Sequence, residues 1–187
     1  MLIEVTGDLV KDKEYTVFCH QTNCKGVMGA GIALQIKNAY PEVAGAGNRY
    51  YRRWVYGSGE PILGTNLYVK THDGRTCVNM YAQLDYGRRG QKTNYTAFQE
   101  CLDRLAKKLN MSDPAIKVAF PKGIGCGLAG GEWNIVFTMI QSFAMNIPQN
   151  VYIVTKIDKQ KNNTTTVRPL LVRNKDKEEK HHEEGKC

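Results

Sequence analysis

Two polar side chains three residues apart, His20 and Asn23, end an apolar run and lead into a glycine-bearing turn. An amphipathic segment follows, with Gly29, Ala30, Gly31 and Ile32 at its start. A strand, a loop and a helix N-terminus in that order form a ready anion site, because the first N–H groups of a helix lack partners within it. Gly29 and Gly31 put no side chain in the way of a phosphate oxygen. A second stretch carries Gly123, Gly125, Gly127, Gly130 and Gly131 between another apolar run and another helical pattern. Glycines adopt conformations closed to other residues and can turn several N–H groups onto one anion. Two such loops point to a ligand with more than one phosphate, and a structural turn is the alternative for each. Neither loop is followed by Gly-Lys-Ser/Thr, and the later one is not a dinucleotide fingerprint.

The elements that must hold these loops alternate along the chain. Segments 2–5, 15–19, 76–81, 115–120 and 151–155 read as strands, with a weaker one at 63–69. Met28, Ile32, Ile36 and Tyr40 repeat every fourth residue, which predicts a helix ended by Pro41. Tyr95, Phe98, Leu102, Leu105 and Leu109 form a second helical stripe, and Trp133, Val136, Phe137, Ile140 and Ala144 a third. The stretch 44–54 reads as a further helix weakened by Gly45 and Gly47. Strands alternating with helices predict an α/β layered domain with a largely buried sheet. Residues 1–157 are expected to form that domain. Residues 158–187 are expected to form an extension with a short added strand at 167–172 and a disordered charged end.

The 187 residues suffice for one domain with a substantial core. Hydrophobic residues make up 42% and charged ones 24%, as in ordinary globular proteins. No apolar run is long enough to cross a bilayer, and the first residues lack the pattern of a signal peptide, so the expected location is the cytoplasm. The six cysteines include no Cys-x-x-Cys pair, which favours free thiols over a metal or redox motif. Cys126, inside a glycine loop, is also a candidate nucleophile. No metal and no cofactor is expected; His181 and His182 sit in the charged tail. The net charge of +8 favours an acidic partner. Clusters at Arg49, Arg52, Arg53 and at Arg88, Arg89, Lys92 are too short to favour nucleic acid over a solvated surface.

Thr6-Gly7-Asp8-Leu9 after the first strand, the run from Asn23 to Ala33, and the run from Gly125 to Trp133 together resemble a macrodomain, an ADP-ribose-binding module. The resemblance covers residues 1 to 157 and implies a three-layer α/β/α sandwich with a mixed central sheet. By the same resemblance, Asp8, with Leu9 beside it, reads the adenine amino group. Gly29, Ala30, Gly31 and Ile32 line one side of the diphosphate. Gly125, Cys126, Gly127, Leu128, Ala129 and Gly130 line the other, and Asn23 serves the distal ribose. A turn or capping role is the alternative for Asp8.

The His-x-x-Asn-Cys-x-Gly run resembles the yeast-type ADP-ribose 1''-phosphate phosphatase branch, in which that histidine is thought catalytic. A histidine there could activate water or protonate a leaving oxygen near neutral pH. A strand-end histidine satisfied by the backbone is the alternative. The implied activity is hydrolysis of ADP-ribose 1''-phosphate, with His20 and Asn23 as the catalytic pair. The alternatives are an ADP-ribosyl hydrolase acting on modified protein or nucleic acid, and a reader without catalysis. Related glycohydrolases rely on a lysine and an aspartate, where this chain has Met80 to Gln83 and Leu128 to Gly130. Glu132 reads as a first-turn helix residue rather than an acid/base group.

Overall fold

The computed structural model describes residues 1–57, 62–87, 89–157 and 168–169. Seven strands form one sheet: β1 (Leu2–Gly7), β2 (Val17–Asn23), β3 (Asn66–Lys70), β4 (Thr76–Gln83), β5 (Lys117–Pro121), β6 (Asn150–Lys156) and β7 (Arg168–Pro169), in the order β3-β4-β2-β5-β6-β1-β7. The five inner strands are parallel, and β3 and β7 pair antiparallel at the two edges. The remainder of the predicted 167–172 strand lies outside the described residues.

The sheet is mixed and covered on both faces, as a three-layer α/β/α sandwich requires. Helices α1 (Gly31–Ala39) and α2 (Pro41–Tyr56) lie on one face, with Ile36, Tyr40 and Val43 packed against Phe18, Cys77 and Ala119. Helices α3 (Tyr95–Leu109) and α4 (Trp133–Met145) cover the other, where Phe98, Leu102, Leu105, Val136 and Ile140 meet Val17, Val78 and Phe120. Strand β2 is buried along its whole length, because a parallel strand between two helical layers has no solvent face.

Strands β2, β3 and β5 each start two or three residues later than the sequence reading placed them, and two helix starts differ as well. Pro41 ends α1 but also opens α2 from its first turn, where its missing N–H costs nothing, so the second helix starts earlier than 44. Helix α1 begins at Gly31 rather than Met28. The residues before it stay in the loop, although Met28 still packs in the same cluster as Ile36 and Tyr40. Asn94 caps α3 by accepting from the Ala97 N–H at 2.9 Å. Among the described residues no helix is long and apolar enough to cross a membrane.

Candidate functional site

Three loops leave the carboxyl ends of β2, β4 and β5 and enclose a cavity of about 560 Å³. This edge is where open α/β sheets usually hold ligands. The cavity centres on β2 and β5. Its walls are Val27 and Gly29 to Ala33 from the first loop, Pro121 to Gly125 and Gly127 to Ala129 from the second, and Tyr86 and Gly87 from the third. Gln21, Thr22, Asn23 and Gln83 form its floor. Among the described residues no Asp, Glu, His or Cys lines it.

The first loop is shaped by Asn23. Its Oδ1 accepts from the N–H groups of Lys25 and Val27, both at 3.1 Å, and its Nδ2 donates to the Val27 carbonyl at 2.7 Å. A register shift between β2 and β4 at Thr22 and Asn23 sets Asn23 opposite Gln83. Such an irregularity re-aims side chains at a strand end. The side chain expected to serve the ribose is therefore first the frame of its own loop, with one Nδ2 hydrogen left over.

The second loop turns through Gly123, Gly125 and Gly130, all at positive φ. The third loop ties it down. The N–H groups of Lys92 and Thr93 both donate to the Ala129 carbonyl, at 2.7 and 3.0 Å, and the Thr93 hydroxyl donates to the Gly125 carbonyl at 2.6 Å. Gln21 Nε2 in turn donates to Thr93 Oγ1 and to Gln83 Oε1, both at 2.9 Å. Sequence reasoning missed Gln21, Gln83, Tyr86, Gly87 and Thr93. The only local signal was a glycine-bearing turn after an apolar run.

Several expected residues stand elsewhere. Cys126 and Gly130 belong to the second loop but not to the cavity wall. The Cys126 thiol faces the Ile124 carbonyl at 3.2 Å, and burial pushes its pKa up to about 11, which removes the thiolate a nucleophile needs. Glu132 is exposed at the N-cap of α4, outside the wall. Asp8 lies at the end of β1, where its Oδ1 accepts from the N–H groups of Val10 (3.1 Å) and Lys11 (3.2 Å), and Leu9 is buried in the core. Neither lines the cavity. Two strand spacings separate β1 from β5, about 10 Å, so Asp8 stands beyond one end of the cavity.

The loop carrying Asp8 is held by Arg75. Only 4% of this residue is exposed, and all five guanidinium hydrogens are used. They go to the carbonyls of Val10 (2.7 Å), Asp12 (2.8 Å) and Leu9 (3.2 Å), to Asp73 (3.1 Å) and to the Tyr40 hydroxyl. The group also sits 4.6 Å from the centre of the Phe18 ring. Burial opposes ionisation of Asp73, yet hydrogen bonds from Lys13, Thr71 and Tyr40 hold its carboxyl well below the usual range.

His20 corrects the expectation of a histidine acting directly in the site. Strand alternation turns it away from Gln21, toward α2. There it is fully buried, and its Nε2 donates to Asn79 Oδ1 at 2.6 Å, since that oxygen can only accept. Burial pushes its pKa down to about 4, against the pull of the Asn79 hydrogen bond. The unfolded chain then takes up a proton between pH 6.5 and 4 that the folded chain refuses. Stability therefore falls as pH drops through that window, by about 3 kcal/mol. Denaturant unfolding of wild type and His20→Gln at pH 7, 5.5 and 4 should show the slope in wild type alone. Parallel curves would mean that His20 takes up its proton equally in the folded and the unfolded protein.

No family model matches the chain. A DNA ADP-ribosyl glycohydrolase of Mycobacterium tuberculosis is 32% identical over 152 residues, covering 79% of this chain and 40% of that protein. The chain thus spans about two fifths of the length of the first curated relatives it matches. Among solved structures, the macrodomain of Mycobacterium tuberculosis DarG is similar with a TM-score of 0.70 and 27% identity, over 84% of this chain and 99% of that one. Thermosipho africanus DarTG in complex with ADP-ribose has a TM-score of 0.68 and 19% identity, over 87% of this chain and 43% of that one. Glycine loops over the strand ends of a sheet that follows the DarG macrodomain along nearly its whole length give this chain the macrodomain fold.

Proposed function

We propose that the cavity binds ADP-ribose and that the protein hydrolyses ADP-ribose 1''-phosphate to ADP-ribose and phosphate. The observation that carries the binding is the pair of glycine loops facing each other across a cavity without a carboxylate, next to the N-terminus of α1. Backbone N–H groups and a helix dipole stabilise a diphosphate there, and no like charge opposes it. The bound ADP-ribose in the Thermosipho relative supports the same ligand. Asp8 at one end then reads the adenine amino group through its second oxygen, and Asn23 meets the distal ribose through its spare hydrogen.

For the reaction, water attacks phosphorus, the bond from phosphorus to the ribose oxygen breaks, and that oxygen takes a proton. Catalysis of this kind rests on positioning and charge stabilisation rather than covalent chemistry. Gln83 on the cavity floor is a neutral amide that offers no attacking amine, which favours water as the nucleophile. The 32% identity to a DNA ADP-ribosyl glycohydrolase favours a second reading, removal of ADP-ribose from modified nucleic acid.

Calorimetric titration with ADP-ribose should give saturable one-to-one binding. Asp8→Asn, which keeps the Oδ1 that holds the turn, should weaken it about tenfold, the loss of one charge-assisted hydrogen bond. No heat up to millimolar ligand would leave the glycine loops as structural turns. Phosphate release from ADP-ribose 1''-phosphate, beside release of ADP-ribose from a modified oligonucleotide, decides between the two reactions.

A further inference from the structure

We propose that the β4–α3 loop forms a subsite for a phosphate carried beyond the distal ribose, with Lys92 as its cation and Tyr86 as its apolar wall. The inference rests on ADP-ribose being the ligand. In the sheet order, β4 and β1 lie on opposite sides of the β2–β5 centre, four strand steps apart. That is about 19 Å. A ligand whose adenine end is at Asp8 therefore brings its other end to the loop that follows Gln83.

That end is lined by Tyr86 and Gly87, and Tyr86 is 53% exposed. The Lys92 side chain runs back across Gly87: a Cβ placed on Gly87 would lie 4.0 Å from Lys92 Cε. The end of the Lys92 side chain thus passes beside Gly87, which itself lines the cavity. Lys92 is half-buried, and its own N–H anchors the loop to Ala129, so the stem of the side chain starts from a fixed point. Among the described residues no carboxylate pairs with Lys92, whereas Lys122, on the opposite loop, faces Glu4 at 3.3 Å. From Tyr86 to Gln99 the sequence contains no Asp or Glu. A cation without a carboxylate partner, beside an aromatic wall at the end of a diphosphate cradle, suits an additional phosphate.

The phosphate could belong to a monoester on the ribose or to a nucleic-acid backbone, and competition against labelled ADP-ribose separates them. The competitors are unlabelled ADP-ribose, a non-hydrolysable 1''-phosphonate analogue, and an oligonucleotide carrying ADP-ribose. Wild type should prefer at least one phosphate-bearing competitor over ADP-ribose by about tenfold. Preference for the phosphonate assigns the monoester, and preference for the oligonucleotide assigns the backbone. Lys92→Met should abolish the preference while ADP-ribose affinity stays within about twofold, and Lys92→Arg should restore most of it. ADP-ribose binding without any preference, or a preference untouched in Lys92→Met, overturns this subsite. Failure of ADP-ribose itself to bind overturns the reading beneath it instead.

Discussion

Arg75→Met lowers the unfolding free energy by about 3–5 kcal/mol, the usual result of removing one partner from a buried ionic cluster. The guanidinium is the common donor to the carbonyls of Leu9, Val10 and Asp12. Methionine fills similar volume but offers no hydrogen, so the carbonyls of Leu9 and Asp12 lose their donor and that of Val10 keeps only the Tyr40 hydroxyl. Asp73 keeps Lys13, Thr71 and Tyr40, which limits the loss on that side. For a domain of this size the change corresponds to a drop in melting temperature of roughly 10 °C. Binding suffers as well, because the released segment begins at Asp8. Urea unfolding of the two proteins measures the first effect, and titration with ADP-ribose at a temperature where both are folded measures the second. A loss below about 1 kcal/mol would show that the loop is held by something other than Arg75.

Gly125→Val should abolish detectable ADP-ribose binding, a loss of at least about a hundredfold, while the sheet still forms. Gly125 has φ +73°, a region that β-branched residues avoid. A Cβ there would come 2.5 Å from Gln21 Oε1 and 3.1 Å from Thr93 Oγ1. Neither neighbour can yield freely, since Gln21 is held by Gln83 and Thr93, and Thr93 by the Gly125 carbonyl itself. The second loop must then leave the wall. Gly127→Ala is the control, because a Cβ at Gly127 meets nothing within 4 Å and its φ is ordinary. That variant should fold with wild-type stability, within about 0.5 kcal/mol. Circular dichroism together with calorimetry tests both. Tight binding by Gly125→Val would mean that the second loop is not part of the ligand wall.

The layered fold was legible because its signals are periodic. The stripe from Tyr95 to Leu109 buries Phe98, Leu102 and Leu105 on one face, and the apolar run before His20 became a strand closed on both sides. The two glycine loops were legible for a different reason: backbone that must approach an anion closely excludes side chains. The place of His20 was not legible. Strand alternation says that it faces away from Gln21, but not which face opens to the cavity, and that depends on α2 packing over Asn79 through Gly47. The third loop was hidden for a similar reason. Lys92 and Thr93 reach Ala129 across the folded structure, and no local spacing encodes a hydrogen bond between segments so far apart. Pro41 misled in one respect only, since the same residue that stops one helix is a favourable first residue for the next.

The cavity wall without Asp, Glu, His or Cys has a chemical consequence of its own. Carboxylates, imidazoles and thiols are the side chains whose protonation changes most readily in mildly acidic to mildly alkaline water. A diphosphate held by peptide dipoles, amides and hydroxyls instead asks that wall to take up or give off no proton as it enters. The wall's grip on the diphosphate is thereby uncoupled from the acidity of the surroundings, even though the stability of the fold, through the sealed imidazole of His20, is not.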